Sequence, residues 1–305
     1  MSDATLTASR LPYGALASEI AQLLTDASVQ VPGRLVQALP GGGSLFVMPA
    51  HDARIAITKL ITFTPGNAGT ARPTIQGDVT VFDVRTGTRL GWLDGPTVTA
   101  RRTAAVSLLA AQRLARSTDG PLLIVGAGVQ GHAHLDAFAD GLGIREVWVA
   151  SRTAGSAQTL VDHALARGLK AKLVSDPNAA MVDCPMIVSG TPAQSVVLHR
   201  PLRAGQFLAA VGAFTPRMVE LSPELCQAVA RDGQIVVDTS DANHEAGDLL
   251  QSGLDVSLFP TLADVVREQL GRPQYTEVGG PILFKSCGWA GWDLAAARLA
   301  FAAGL

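Results

Sequence analysis

Leu122-Leu-Ile-Val-Gly126-Ala-Gly128-Val-Gln-Gly131-His-Ala-His-Leu-Asp-Ala-Phe138 reads as a short apolar strand, a glycine turn and the opening of a helix. A lone G-x-G-x-x-G carries little weight, because glycines also serve ordinary turns. Here the strand and the helix that the mechanism requires stand on either side of it. Gly126 permits the tight turn, and Gly128 lets the backbone approach a pyrophosphate. Gly131 lets the helix pack closely on the strand, and the helix N-terminus receives the negative charge. The stretch therefore predicts a dinucleotide site within a Rossmann-type domain, with Val129 and Gln130 among the cofactor contacts; Thr191, outside this stretch, is a further expected contact.

Downstream, residues 146–150, 171–174, 186–189, 207–211 and 235–238 are short apolar strands separated by helix-length segments. With 122–125 they predict an α/β domain with a parallel sheet covered by helices on both faces. The end of the second of these strands selects the dinucleotide. NAD-preferring enzymes carry a carboxylate there for the ribose 2′-hydroxyl, but this chain reads Ser151-Arg152-Thr153. Arg152 can pair with a 2′-phosphate, and Ser151 and Thr153 can donate to it. NADPH is favoured on this reading, with NADH left open.

Upstream the rhythm differs. A helix is expected over 15–27, then strands over 34–39, 44–48, 55–63, 78–84 and 89–93, punctuated by Gly41-Gly42-Gly43, Pro65-Gly66-Asn67 and Arg85-Thr86-Gly87. Strand following strand predicts a mostly antiparallel sheet, hence an α+β domain. A helix over about 100–116 leads into the Rossmann segment. The segment 282–303 reads as a final helix, with Leu294, Ala297, Leu299 and Ala300 on its apolar side, returning to the N-terminal domain. The expected organisation is 1–116 with 275–305 as one domain and 117–274 as the other.

Composition limits the function classes. The 305 residues are 48% hydrophobic and 16% charged, with a net charge of −2 and neither a basic stripe nor a charged tail. Nucleic-acid binding is not expected. Apolar runs break well before the roughly 18 residues that span a bilayer, and Met1-Ser2-Asp3 does not open like a signal peptide. A cytoplasmic protein is expected. Cys184, Cys226 and Cys287 form no metal-binding or disulfide pattern. His132 and His134, two apart on a helix, do not share a face, so no metal site is expected. Asp238 reads as a loop cap, His244 and Glu245 as surface residues, and Trp289 and Trp292 as core packing.

Charges inside apolar patterns single out further residues. In Ile55-Ala-Ile57-Thr-Lys59-Leu-Ile61-Thr-Phe63, Lys59 shares a strand face with Ile55, Ile57, Ile61 and Phe63. Lysine is almost never fully buried unless paired, so Lys59 is a candidate for lining an anionic pocket. An edge lysine blocking sheet aggregation, or one snorkelling to water, is the competing explanation. Arg34 opens a strand after Val31-Pro32-Gly33. Arg102, beside Arg101, is expected in the first turn of the long helix, where the dipole disfavours it. Each arginine by itself reads as a surface residue.

Many segments in one order then match a known family. The chain resembles the ornithine cyclodeaminase/mu-crystallin family over nearly its whole length. The resemblance rests on Val31-Pro-Gly-Arg34, Met48-Pro-Ala50, Lys59-Leu-Ile-Thr-Phe-Thr-Pro65-Gly-Asn67, Arg72-Pro-Thr74-Ile-Gln-Gly77, Val81-Phe-Asp83-Val-Arg-Thr86-Gly87, Asp94-Gly95, Arg102-Thr-Ala-Ala105, Gly126-Ala-Gly-Val-Gln130 and Leu283-Phe-Lys-Ser286. It implies a homodimer built on the N-terminal sheet and the returning C-terminal helix, with an active site in the cleft between the domains. Arg34, Lys59 and Arg102 correspond to basic residues around the substrate carboxylate, with Arg102 also at the cofactor, and Thr74 falls on an active-site position.

One departure narrows the activity. Ornithine cyclodeaminases carry an acidic residue just after the fifth Rossmann strand, where this chain aligns Phe214. Phenylalanine cannot pair with an ammonium, though it can wall an apolar ring. The Ala213-Phe-Thr-Pro-Arg217 and Phe284-Lys-Ser-Cys-Gly-Trp289 segments resemble the ketimine reductases of the family. The resemblance therefore implies NAD(P)H-dependent reduction of Δ1-pyrroline-2-carboxylate to L-proline or of Δ1-piperideine-2-carboxylate to L-pipecolate. Lys59 is then the candidate catalytic proton donor, and Phe214 packs against the ring. An amino-acid dehydrogenase or cyclodeaminase of the family, or a mu-crystallin-like protein holding NADPH and a small ligand with little turnover, stands as the alternative.

Overall fold

In the computed structural model, which describes residues 2–67, 70, 72–269 and 279–302, the N-terminal strands form a five-stranded antiparallel meander. Its strands are β1 (Leu35–Ala38), β2 (Ser44–His51), β3 (Ile55–Phe63), β4 (Ile75–Asp83) and β5 (Arg89–Asp94), paired in chain order. The alternation in β3 holds: Ile55, Ile57, Lys59 and Ile61 are buried, while Leu60 on the other face is exposed. Two helices precede the sheet, α1 (Asp3–Ser9) and α2 (Tyr13–Leu23). The seven residues of α1 are too few to show a period, and α2 begins directly after Pro12 and ends short of the expected 27.

The long helix α3 (Gly95–Leu114) begins five residues ahead of the expected start. Asp94 Oδ2 accepts from Thr97 N at 2.8 Å, and Pro96 sits in the first turn, so the cap lies just after β5. Arg102 is therefore two turns inside α3 and not in its first turn, and the dipole argument does not apply to it. Contacts divide the chain within this helix, into Met1–Thr103 with Trp289–Leu305 and Ala104–Gly288. That border falls earlier than the expected 116. The other expected border, at 274/275, lies outside the described residues.

The second unit alternates strands and helices as expected up to Ser189, whereas Gln194–Leu198 and Val219–Leu221 are strands within segments expected to hold helices. In order come β6 (Leu122–Val125), α4 (Val129–Leu142), β7 (Glu146–Ala150), α5 (Ala154–Ala166), β8 (Lys170–Leu173), α6 (Pro177–Ala180), β9 (Met186–Ser189), β10 (Gln194–Leu198), β11 (Phe207–Ala210), β12 (Val219–Leu221), α7 (Pro223–Asp232), β13 (Gln234–Val237), α8 (Ala242–Glu245), α9 (Gly247–Leu250), α10 (Leu262–Gln269) and β14 (Ile282–Lys285). Seven strands build one parallel sheet in the order β13-β14-β11-β9-β6-β7-β8. The chain reverses its direction of travel between β6 and β9, which makes the carboxyl ends of those two strands the topological switch point. β10 and β12 form a separate parallel pair.

The segment expected as one helix over 282–303 is two elements. Ile282–Lys285 is the strand β14, hydrogen-bonded to β11 on one side and β13 on the other. All four of its residues are buried, and a short apolar run cannot be told from a buried helical segment by periodicity. Only α11 (Ala290–Phe301) is helical, and residue 303 lies outside the described residues. As expected, α11 packs on the N-terminal unit, against α2, β2, β3 and β4. Arg298 anchors it, pairing with Asp26 at 2.6 Å and with Asp52.

Candidate functional site

In the N-terminal unit, β3, α3 and α11 bring three charges together. Lys59 Nζ donates to Asp293 Oδ1 at 2.9 Å and to Thr99 Oγ1 at 2.7 Å. Arg102 Nε lies 3.6 Å from the same Asp293 oxygen. Lys59 and Asp293 are fully buried, and Arg102 nearly so. Thr99 is oriented in turn by donating to Gly95 O at 2.8 Å. Burial pushes the Lys59 amine down to about 8. Asp293 opposes that shift, while the Arg102 guanidinium adds to it. One carboxylate thus serves two cations, leaving a local excess of positive charge and an amine that titrates near neutrality. Arg102 Nε and Asp293 Oδ2 have no hydrogen-bond partner among the described residues. Unpaired buried polar groups cost roughly 1–3 kcal/mol each, a cost that a polar ligand would remove.

Arg34, half-buried ahead of β1, and Thr74, half-buried ahead of β4, belong to the same unit. The Thr74 carbonyl accepts from Thr64 N at 2.8 Å, closing the loop that follows β3. Asp293 and Thr99 are the residues that the sequence reading missed. Asp293 did carry a signal, as the one carboxylate in Ala290-Gly-Trp-Asp-Leu-Ala-Ala-Ala297, a helix buried nearly all round. Trp292 is buried and meets Trp289 edge-on at 4.9 Å between ring centres.

In the parallel-sheet unit the three glycines of the turn meet three different surroundings. Gly126 has φ +106°, and a Cβ there would lie 2.7 Å from Gly190 O. A Cβ on Gly131 would lie 2.2 Å from Gly126 O, the close helix–strand contact that the spacing demands. Around Gly128, by contrast, a Cβ would meet nothing within 4 Å. Gly128 is the N-cap of α4 and supplies no side-chain bond to its amides. Open space in front of an uncapped helix N-terminus fits a dinucleotide pyrophosphate. Val129 is 70% exposed beside it, and Gln130 O accepts from His134 Nδ1 at 2.8 Å. Burial pushes His134 down to about 4, so its neutral ring accepts from Ser107 at 2.9 Å and serves as packing. After β7, Ser151 is half-buried while Arg152 and Thr153 are exposed, where a ribose substituent can be met.

At the carboxyl ends of β9 and β11 a third missed residue appears. Glu220, fully buried in β12, accepts through Oε1 from Ser189 Oγ (2.6 Å), Thr191 N (2.7 Å) and Thr191 Oγ1 (2.9 Å). Its Oε2 accepts from Gly212 N (2.6 Å) and Ala213 N (3.0 Å). Thr191 and the loop carrying Phe214 are thereby held by one side chain. Phe214 itself is 37% exposed. Asp238 also does more than cap its own loop: its Oδ2 accepts from Ser286 Oγ, Cys287 N and Gly288 N, fastening the segment after β14. No group of metal-ligating residues occurs among the described residues, and no described helix is long and apolar enough to cross a membrane.

The chain as a whole is similar to known proteins. The chain is 37% identical over 302 residues to Delta(1)-pyrroline-2-carboxylate reductase 1 of Burkholderia multivorans, covering 98% of this chain and 94% of that protein. It is 34% identical over 281 residues to the ketimine reductase mu-crystallin of Mus musculus, covering 90% and 86%. The solved structure of Thermococcus litoralis Delta(1)-pyrroline-2-carboxylate reductase, in complex with NADH and L-proline, has a TM-score of 0.86. It is 23% identical and covers 96% of this chain and 95% of that one, a likeness of fold. The family model for ornithine cyclodeaminase and mu-crystallin matches residues 14–302, nearly the whole length that carries the paired sheets, the glycine turn and the buried lysine. The chain belongs to the ornithine cyclodeaminase/mu-crystallin family.

Proposed function

We propose that this protein is a nicotinamide-dependent ketimine reductase that converts Δ1-pyrroline-2-carboxylate to L-proline, Δ1-piperideine-2-carboxylate to L-pipecolate, or both. The observation that carries this reading is the fully buried Lys59, titrating at about 8 beside Arg102 and Asp293. It is supported by relatives named as Delta(1)-pyrroline-2-carboxylate and ketimine reductases. Bound reduced nicotinamide would supply the hydride that the carbon of the C=N bond takes up. The chain's own residues do the remainder.

Arg102 and Arg34 bind the substrate carboxylate, which fixes the orientation of the reacting carbon. Lys59 holds the proton that the imine nitrogen gains as the C=N bond becomes CH–NH, and a group titrating near 8 is well matched to giving it up at neutral pH. Thr74 hydrogen-bonds the ligand, and Phe214 walls the methylene ring, where a cyclodeaminase needs an acid. The glycine turn, Val129, Gln130 and Thr191 would hold the cofactor, and Arg102 is a further candidate contact for it. Arg152, with Ser151 and Thr153, favours the 2′-phosphate of NADPH while still admitting NADH.

The protein acts in the cytoplasm as a homodimer. On the meander face opposite Lys59, the cross-strand register aligns Leu35 with Val47, Val47 with Leu60, and Thr80 with Trp92. Leu35, Leu60 and Trp92 are each about half exposed, apolar side chains set beside Asp78 and Thr80 on a face of the kind that a partner covers. Leu60→Glu is expected to halve the mass measured by light scattering.

The deciding assay follows oxidation of NADPH, and separately NADH, with each cyclic imine in ammonium-free buffer. Rapid oxidation yielding L-proline or L-pipecolate is the expected result. Turnover only with open-chain 2-oxo acids plus ammonium would make the protein an amino-acid dehydrogenase. Saturable ligand binding without oxidation would make it a binding protein.

A further inference from the structure

The Glu220 carboxylate makes five hydrogen bonds, four of them to two loops at the ligand-facing edge of the parallel sheet. We propose that Glu220 is a positioning residue that fixes Thr191 as a hydrogen-bond acceptor toward the nicotinamide end of the cofactor and ties the loop of Phe214 to the same anchor.

The argument starts from proton count. Both carboxylate oxygens of Glu220 already accept from backbone N–H groups, so Thr191 donates its single hydroxyl proton to Glu220 Oε1 at 2.9 Å. What Thr191 Oγ1 presents outward is then lone pairs alone. It can accept from an N–H donor and cannot donate to an oxygen, which makes it selective for an amide N–H of the kind the nicotinamide carboxamide carries. Ser189, donating at 2.6 Å to the same oxygen, completes the set from the end of β9.

Location gives the device its consequence. Gly190 N donates to Val125 O, and Gly126 packs against Gly190, so the Thr191 loop abuts the phosphate turn at the switch point. On the other oxygen, Gly212 N and Ala213 N hold the loop whose next residue is Phe214. Gly212 has no room for a side chain, since a Cβ would lie 2.1 Å from Thr191 O, so the two loops touch. Glu220 is itself clamped from behind. Asp248 Oδ1 accepts from Glu220 N at 2.6 Å and Leu221 N at 2.9 Å, and Asp248 Oδ2 lies 2.7 Å from the buried Lys285 Nζ. A buried carboxylate held on every side reports one geometry and not an ensemble.

The proposal rests on the cofactor contact assigned to Thr191, so the test reads cofactor binding apart from imine turnover. Glu220→Gln keeps the shape but puts an NH2 against either Thr191 or the Gly212 and Ala213 amides, whichever way the amide turns. NADPH dissociation constants by fluorescence titration, and KM and kcat for the imine, are measured for wild type, Glu220→Gln, Thr191→Val and the double variant.

The expected result is that each single variant weakens NADPH about tenfold, the loss of one hydrogen bond. The double variant should be no weaker than either single one, because both remove the same contact. Ser189→Ala, which leaves both loops tied, is expected to bind NADPH within about twofold of wild type. Additive losses in the double variant would reduce Glu220 to a general structural role and overturn the proposal. If Glu220→Gln does not fold, Thr191→Ser and Thr191→Val decide: serine should bind NADPH like wild type and valine about tenfold more weakly, and equal binding by the two overturns it. Wild-type protein that binds NADPH but reduces no imine would sink the ketimine reading while leaving this test intact.

Discussion

Replacing Asp293 by asparagine perturbs the proposed proton donor without touching it. Asparagine keeps an oxygen for the Lys59 bond at 2.9 Å and removes the charge that stabilises the ammonium. Burial and Arg102 both push the Lys59 amine down, and Asp293 is the group that opposes them. An opposite charge at this range is worth about 1–3 pKa units. Without it the amine, now near 8, should titrate roughly between 5 and 7. If protonated Lys59 delivers the proton, activity is present below its pKa and lost as pH rises through it. The alkaline limb of kcat for imine reduction should therefore lie near 8 in the wild type and move down by the same 1–3 units in Asp293→Asn. At pH 7 a two-unit shift takes the protonated fraction from about nine-tenths to about one-tenth, roughly a tenfold loss of turnover. Lys59→Met, carried alongside, should lack this limb altogether. A limb that stays near 8 in Asp293→Asn, or persists in Lys59→Met, would belong to another group and remove Lys59 from proton transfer.

The same pKa predicts a stability signature. Between about 8 and the ordinary lysine value of 10.5 the unfolded chain keeps a proton that the folded protein has released, so stability rises with pH across that window. The rise is on the order of 3 kcal/mol. Denaturant midpoints of wild type minus Lys59→Met should show it, whereas equal slopes would mean that the amine is not held in its depressed state. The subtraction is needed because burial pushes the Cys184 and Cys226 thiols up to about 12, which works in the opposite direction above pH 9. Gly128→Ala should fold normally and lose cofactor affinity, while Gly131→Ala should lose several kcal/mol of stability. Their Cβ atoms meet, respectively, open space and a carbonyl at 2.2 Å, and paired thermal melts with and without NADPH check both. Arg152→Ala should raise KM for NADPH about tenfold or more and leave NADH unchanged, the loss of one charge-assisted contact. An equal effect on both cofactors would deny Arg152 the 2′-phosphate.

What was legible in the sequence was local. The glycine turn announces itself because strand, turn and helix are contiguous, and Gly131 answers a steric demand set by Gly126 five residues earlier. The meander could be read from strand following strand with turn residues between them, and the buried face of β3 from its period-two alternation. The run Ile282–Lys285 defeats both rules: central in a parallel sheet and buried on both faces, it has no polar alternation to reveal a strand. The partners of the charged residues were hidden for another reason. Asp293 lies 234 positions from Lys59, and Glu220 lies 29 from Thr191. No local pattern pairs them, although Asp293 shows up as a lone acid in an apolar stretch.

Lys59 and Lys285 show what such a signal leaves undecided. Both end up fully buried, each after apolar neighbours in a strand, and each within 3 Å of an aspartate. Burial disfavours the ammonium in both. At Lys285, the attraction of Asp248, with Cys287 and Glu220 adding to it, outweighs that cost and holds the amine above its ordinary value. At Lys59 the single carboxylate is shared with Arg102, and the balance falls the other way, to about 8. A lysine kept permanently charged can only brace a fold, whereas one that titrates near neutrality can hand over a proton. The second cation at Asp293 and the extra negative groups around Lys285 separate the two, so the arginine proposed to bind the substrate carboxylate also helps burial lower the pKa of the lysine beside it.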